Sequence, residues 1–194
     1  DVCSSDLMSK QWQKWLKKEY WPDVVGRDEI EDFANRITDH EELRNYFNIS
    51  PAISPDGSKI ALISDRRGYS DIYLISARDG KTIKKLIKGN RTPDFEELKL
   101  LQPGLSWSPD GKRIVLAAKA GERDALFMVN VESGEQEKVL LDFDGIFTAA
   151  WSPDGESIAF VGNKGSASDL YLYDLNERKL VALTADIFSD SEPS

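Results

Sequence analysis

Cysteine and histidine are nearly absent from this chain, which contains one of each, Cys3 and His40. A single cysteine cannot form an internal disulfide, and a lone histidine cannot supply the spaced ligands of a zinc site. No apolar run approaches the roughly 18 residues that a membrane helix needs. The N-terminus also lacks the basic-then-apolar pattern of a signal peptide. The net charge of −9 argues against a general nucleic-acid binder, which needs a basic face.

The sequence also lacks the common catalytic motifs. It contains no His-Glu-x-x-His, no Gly-x-Ser-x-Gly and no phosphate-binding loop. The stretch Asp142–Gly145 resembles the opening of a calcium loop, but the later ligands and the bidentate glutamate are missing. The sequence therefore predicts no catalytic residue, no cofactor and no metal site in this chain.

One four-residue stretch, Ser-Pro-Asp-Gly, occurs three times, at 54–57, 108–111 and 152–155. Proline presets φ for the first central position of a tight turn, aspartate bonds its own backbone, and glycine takes the positive-φ position. Short apolar segments flank each copy, as in a β-hairpin. A unit that recurs every ~40–50 residues with four strand-like segments is typical of a propeller blade.

The predicted fold is therefore all-β, a partial β-propeller of three four-stranded antiparallel blades with a short N-terminal helical lead-in. The predicted strands are 50–54, 59–64, 71–76 and 82–87, then 104–108, 113–118, 125–131 and 136–141, and finally 147–152, 157–162, 169–174 and 179–183. Residues such as Ile60, Ile114 and Ile158 should alternate toward neighbouring blades. Trp107 and Trp151 should take equivalent positions between blades.

The repeat over residues 49–194 resembles the TolB-like, WD-repeat-related propeller repeat of bacterial envelope proteins. That resemblance implies about six blades, whereas this chain holds three, at about 49–88, 104–142 and 147–184, with the start of a fourth at 190–194. We therefore expect an internal fragment of a larger protein. Because an open propeller exposes a blade face and strand edges, we also expect self-association of this fragment.

The region before the repeats is divided into 1–7 and a helical lead-in or linker over 8–48. Residues 1–7 resemble the translation of a sequencing adapter and are interpreted as non-native. Residues 9–20 have helical apolar spacing, which suits docking onto a neighbouring domain or, alternatively, a membrane surface. Residues 32–38 match the end of the third repeat and could be a propeller-closing strand, unpaired here or helical. Thr38 could cap a short helix.

The stretch 11–23 resembles the junction in bacterial envelope proteins that join a peptidase MA-like gluzincin domain to a TolB-like propeller. This resemblance implies a periplasmic or otherwise extracytoplasmic protein whose zinc ligands lie upstream of the chain. Prolyl-oligopeptidase-like serine hydrolases use similar repeats, so a substrate-presenting propeller of either peptidase is the alternative to a protein-binding scaffold. The sequence leaves open whether the parent protein is an enzyme.

The connections between successive repeats are acidic, and in propellers they all open on one face. We therefore predict that a protein or peptide partner binds there. The segment 89–104 is the longest connection and mixes acids with apolar residues, as an interface does. Its apolar residues could instead fold back and seal the first two blades. The candidate partner-binding residues are Asp94, Phe95, Glu96, Glu97, Asp142, Asp144, Asp186 and Asp190.

Overall fold

A computed structural model describes residues 2–21, 27, 30–89, 97–98, 104–165, 167–186 and 188–190. The chain divides into two compact units, Asp1–Arg36 and Ile37–Ser194. The first unit contains helices α1 (Val2–Tyr20) and α2 (Ile30–Phe33). The second contains helix α3 (His40–Leu43) and the strands.

Helix α1 begins at Val2 rather than at residue 9, since no proline or glycine interrupts residues 2–8. Its aromatic side chains Trp12, Trp15 and Tyr20 are exposed. The non-native origin of residues 1–7 stays a prediction. The docking of α1 onto a neighbouring domain, or alternatively onto a membrane surface, also stays a prediction. Within the described residues, no helix combines the length and apolar character that crossing a membrane requires.

The strands form three antiparallel sheets, here called blades 1, 2 and 3, and confirm the predicted all-β partial propeller. Blade 1 contains β1 (Asn48–Ile53), β2 (Lys59–Ser64), β3 (Asp71–Ser76) and β4 (Thr82–Ile87). Blade 2 contains β5 (Glu97–Leu98), β6 (Leu105–Trp107), β7 (Arg113–Ala120), β8 (Arg123–Asn130) and β9 (Gln136–Leu140). Blade 3 contains β10 (Gly145–Trp151), β11 (Ser157–Lys164), β12 (Ala167–Asp174) and β13 (Lys179–Ala182).

The inner strand of blade 2 is split, which the sequence did not predict. β5 and β6 both pair with β7, with Leu98 opposite Ala118 and Leu105 opposite Leu116. In blades 1 and 3 the corresponding strands β1 and β10 are continuous apart from a bulge. The 89–104 segment is therefore two separate insertions, one before β5 and one between β5 and β6.

In blade 2, which has a blade on either side, apolar side chains of β7 and β8 pack alternately toward the two neighbours, because successive side chains of a strand point to opposite faces. Ile114 and Leu116 lie in the cluster between blades 1 and 2, whereas Val115 and Ala117 lie in the cluster between blades 2 and 3. Trp107 belongs to the first cluster and Trp151 to the second. The predicted equivalence of the two tryptophans is therefore borne out by their packing.

The described residues before β1 form helices and no strand. Residues 30–33 are helical and 34–39 form no strand, so the closing strand proposed for 32–38 is not formed in this structure. Ile37 nevertheless packs against Leu62, Tyr73 and Ile75 of blade 1. The cap of α3 is Asp39 rather than Thr38, since the Asp39 carboxylate accepts the N–H of Glu41 at 2.8 Å.

Candidate partner-binding face

The propeller has two chemically different ends. The first, here called the turn face, carries the Ser-Pro-Asp-Gly turns together with the β3–β4, β8–β9 and β12–β13 turns. Backbone hydrogen bonds join these turns in each blade, such as Val131 N–H to the Lys112 carbonyl at 2.8 Å. The second, here called the loop face, carries the connections from one blade to the next and the β7–β8 and β11–β12 hairpins.

The three Ser-Pro-Asp-Gly turns share two hydrogen bonds to their aspartate. In the first, the Ser54 hydroxyl donates to Asp56 Oδ1 at 2.5 Å and the Ser58 N–H donates to the same oxygen at 3.0 Å. These bonds, from Ser54 first and then Ser58, lower the pKa of Asp56 to about 2. Serine hydroxyls likewise lower the pKa of Asp110 and Asp154. These aspartates therefore act as turn residues, as their sequence pattern predicted.

On the loop face, Asp142 and Asp144 lie in the connection from β9 to β10, and both are exposed. Asp144 Oδ2 accepts the N–H of Gly165 at 2.7 Å, so this carboxylate joins the connection to the β11–β12 hairpin. Asp142 lies 3.9 Å from the Lys164 ammonium, and both side chains are largely exposed. Asp144 is thus structural, whereas the Asp142 carboxylate is available to a partner at little cost.

Asp186 and Asp190 follow β13. The Asp186 carboxylate accepts the N–H of Phe188 at 2.7 Å, which makes it a turn residue. The Asp190 backbone N–H donates to the Ser168 carbonyl at 2.7 Å, so this segment returns toward β12. Asp190 Oδ2 is buried and has no hydrogen-bond partner among the described residues.

The first insertion of blade 2 has both ends fixed. A Cβ on Gly89 would lie 3.0 Å from Leu98 Cδ1, so the segment leaves and returns at one place. Leu98 is 2% exposed and belongs to the core between blades 1 and 2. Leu98 therefore packs between blades 1 and 2, whereas the other apolar residues that the alternative interpretation placed there, Phe95, Leu100 and Leu101, lie outside the described residues. Glu97 forms part of β5, whereas Asp94, Phe95 and Glu96 lie outside the described residues.

Basic residues, which the sequence pattern did not bring to notice, also lie near the same face. Lys119, Arg123 and Lys164 lie at or next to the β7–β8 and β11–β12 hairpin tips. The loop face is thus a mixed surface rather than a uniformly acidic rim. Lys119 and Arg123 flank Gly121, and Lys164 precedes Gly165, and these positions next to a turn glycine are the sequence signal that could have revealed them.

Two buried aspartates were also missed as structural anchors. Asp71 is fully buried, its Oδ2 bonds to the Lys85 ammonium, and its Oδ1 accepts the Gly89 N–H at 3.0 Å. Burial is the largest single influence and lowers the pKa of Lys85, but the hydrogen bonds and charges of Asp71 and Tyr73 together outweigh it, so the pKa is raised. Asp124 Oδ2 accepts the N–H of Ile146 and so connects blade 2 to blade 3.

A groove of ≈ 550 Å³ lies on the turn face between blades 1 and 2. Its walls include Lys59, Lys84 and Lys112 over apolar residues such as Leu74 and Val131. Lys84 donates to the Glu132 carbonyl at 2.9 Å, and Asp56 and Asp110 lie in the adjoining turns. The positive charges of these lysines are therefore partly balanced. The groove is nevertheless the alternative position at which a ligand would bind. Among the described residues, no three His, Cys, Asp or Glu side chains cluster as a metal site would require.

Solved structures with a similar fold include β-propeller proteins. TolB from Acinetobacter baumannii superposes with a TM-score of 0.61 at 24% identity, over 72% of this chain and 32% of that chain. A chain of the nidogen/laminin complex superposes with a TM-score of 0.55 at 10% identity, over 73% and 49%. The propeller domain of the trilobed protease from Pyrococcus furiosus gives 0.50 at 18% identity, over 71% and 41%.

These similarities confirm the predicted TolB-like propeller fold, and at these identities they show the fold alone. The chain spans between about a third and a half of the length of the propeller structures that it matches. The sequence matches no protein-family model, and no curated protein is significantly similar to it.

Proposed function

We propose that the chain is a protein- or peptide-binding β-propeller module of a bacterial cell-envelope protein, and that its partner binds at the loop face. The observation that carries this proposal is the difference between the two ends. The turn face repeats one turn three times, with each aspartate bonded to its own turn. The connections of the loop face differ in length and sequence. Variable loops on a rigid scaffold are where binding function usually lies.

The chemistry of the loop face suits a partner with basic and apolar groups. Asp142 presents an exposed carboxylate, and Asp94 and Glu96 belong to a segment whose ends are fixed at Gly89 and Leu98. Fixing both ends of a loop lowers the entropy lost when the loop contacts a partner. In this proposal Phe95 supplies the apolar anchor, while the carboxylates steer a cationic partner toward the face.

The proposed location is periplasmic or otherwise extracytoplasmic. It rests on the resemblance of the repeats to TolB-like proteins of the bacterial envelope, and the fold similarity to the Acinetobacter baumannii TolB supports it.

A second candidate function is a substrate-presenting propeller of a peptidase. One propeller of similar fold is a domain of the trilobed protease from Pyrococcus furiosus. The resemblance of residues 11–23 to a peptidase–propeller junction points the same way. A His-Glu-x-x-His encoded upstream, or a Gly-x-Ser-x-Gly encoded downstream, would favour this function over a pure binding scaffold.

Peptides selected from a random display library on the 194-residue chain would test the loop face directly. Their association rates would be compared for wild type, for the loop-face variant D94A/E96A/E97A, and for the turn-face control E132A/E135A/E156A. We expect the loop-face variant to slow association about tenfold and to flatten its dependence on salt, with no such effect in the control. Loss of binding in the control variant alone would place the site on the turn face and contradict the proposal.

A further inference from the structure

Neighbouring Ser-Pro-Asp-Gly turns pack on one another in a fixed order. A Cβ on Gly111 would lie 3.7 Å from Pro55 Cδ, and a Cβ on Gly155 would lie 3.5 Å from Pro109 Cδ. The proline of each blade therefore contacts the glycine of the following blade. Among the described residues two such contacts occur, one at each junction between blades.

At the two outer blades, one member of this proline–glycine contact has no partner among the described residues. Gly57 of blade 1 has no described atom within 4 Å of its Cβ position. Pro153 of blade 3 is exposed. Within the described residues, one glycine side at blade 1 and one proline side at blade 3 are thus unmatched.

The position of the inter-blade tryptophans shows the same pattern. Trp107 and Trp151, which end β6 and β10, are each 8% exposed because they pack on the preceding blade. Ile53 takes the corresponding position at the end of β1, and it is 62% exposed. Among the described residues of the unit Ile37–Ser194, none covers the inner part of the blade 1 face around Ile53 and Gly57, whereas Ile37 packs against the more buried part.

Blade 3 presents the opposite side of a blade junction. Leu126 and Met128 of blade 2 are buried against blade 3. The residues of blade 3 that point the other way include Leu172, which is half-buried, and its partner in the ladder, Val181, which is 43% exposed. This side is apolar like the buried side of blade 2, but within the part of the chain that the structure describes no further blade packs on it.

We propose that the open side of blade 3 binds the uncovered inner face of blade 1 in a second copy of this chain. In a dimer with two-fold symmetry this contact occurs twice and closes a ring of six blades. Six blades lie within the range of ~4–8 found in known propellers. Pro153 of each copy packs beside Gly57 of the other, and Ile53 takes the place that a tryptophan occupies at the internal junctions. This inference does not depend on the proposed function.

Analytical ultracentrifugation of the 194-residue chain tests the inference with one charge added to each surface. The variants are I53D on blade 1 and V181D on blade 3, and both residues are exposed enough for the monomer to fold. The control is L140D, at an exposed position on the outer strand of blade 2. We expect a wild-type dimer, an unchanged L140D dimer, and a dissociation constant raised about tenfold or more in each of the other two variants, because each substitution buries a charge in both contacts.

A mixture of I53D and V181D discriminates between modes of pairing. In a head-to-tail dimer of one I53D and one V181D chain, one junction carries no substitution, so the mixture should associate more tightly than either variant alone. If blade 3 paired with blade 3, I53D would dimerise like wild type, which would overturn the inference. A wild-type chain that stays monomeric up to about 100 μM would also overturn it and leave the open side of blade 3 to a different occupant, such as a further blade.

Discussion

Asp124 and Ile146 join blade 2 to blade 3 through a hydrogen bond from the Ile146 N–H to Asp124 Oδ2 at 2.9 Å. Both residues are buried. The bond spans the connection that contains Asp142 and Asp144, so it fixes the base of one loop of the loop face. The position of that loop therefore depends on the packing of two blades rather than on the loop alone.

We expect Asp124→Ala to destabilise the fold by about 1–3 kcal/mol, because it leaves the buried Ile146 N–H without this acceptor. Asp124→Asn keeps an oxygen acceptor and should cost less. Urea unfolding of both variants measures the difference. Equal stability of the alanine variant and wild type would show that the bond does not hold the blades together.

The pair Lys85 and Asp71 gives a second prediction. Lys85→Met leaves the fully buried Asp71 carboxylate without its cation, and we expect a loss of about 3 kcal/mol, the low end for buried pairs because Lys85 is partly exposed. The double variant D71N/K85M removes the charge and keeps an acceptor for the Gly89 N–H. It should be more stable than K85M alone in the same denaturant titration. A double variant no more stable than K85M would contradict the ion-pair account.

Acid unfolding should reveal how much the turn aspartates Asp56, Asp110 and Asp154 contribute to stability. The pKa of Asp56 is about 2 in the folded chain, and those of Asp110 and Asp154 are also lowered. A lowered folded-state pKa contributes stability that is present above the unfolded value of about 3.9 and is lost as the pH falls through the folded value. Stability should therefore fall between about pH 4 and pH 2. The variant D56N/D110N/D154N should show a shallower fall, and an unchanged slope would contradict the assignment.

Gly80 and Gly134 occupy matching turns of blades 1 and 2, with φ of +68° and +79°. A Cβ on Gly80 would lie 1.6 Å from the Ile37 carbonyl oxygen, whereas a Cβ on Gly134 would meet no described atom within 4 Å. Both alanine variants carry the strain of a positive φ, about 1–2 kcal/mol. Gly80→Ala should in addition detach the segment around Ile37.

The excess cost of Gly80→Ala over Gly134→Ala should be about 1–2 kcal/mol, the partial loss of a buried isoleucine side chain. Limited proteolysis should show faster cleavage within residues 34–39 in Gly80→Ala alone. Equal stability and equal cleavage of the two variants would mean that the packing of Ile37 on blade 1 contributes nothing.

The blades were predictable from the sequence because each Ser-Pro-Asp-Gly turn is determined locally. The Ser54 and Asp56 side chains bond within a few residues, so the pattern alone positions the hairpin. The split of the inner strand of blade 2 was not predictable in this way. It depends on Leu98 pairing with Ala118, a contact between residues that no local motif relates.

The segments at Asp71, Asp124 and Asp169 have similar sequences but do not all have the same register in their blades. Asp71 and Asp169 begin alike segments and lie opposite Ser64 and Gly162, which are matching positions. Asp124 precedes a similar segment but lies opposite Lys119, one position earlier, so its side chain points to the next blade. A shift of one residue moves a side chain to the other face of the sheet, and sequence similarity does not detect this shift.

The loop face was predictable only as a set of connections, because the roles of Asp142 and Asp144 depend on contacts with the β11–β12 hairpin.

The central claim is that the loop face binds the partner, and hydrogen–deuterium exchange of the chain with a selected peptide tests it most directly. The account predicts slower exchange on peptide binding for amides of the loop face, at residues 89–98 and 142–145 and at Gly165. It predicts no change at the Ser-Pro-Asp-Gly turns. Protection at Gly57 and Gly111, next to the groove between blades 1 and 2, with none at residues 142–145, would contradict the account.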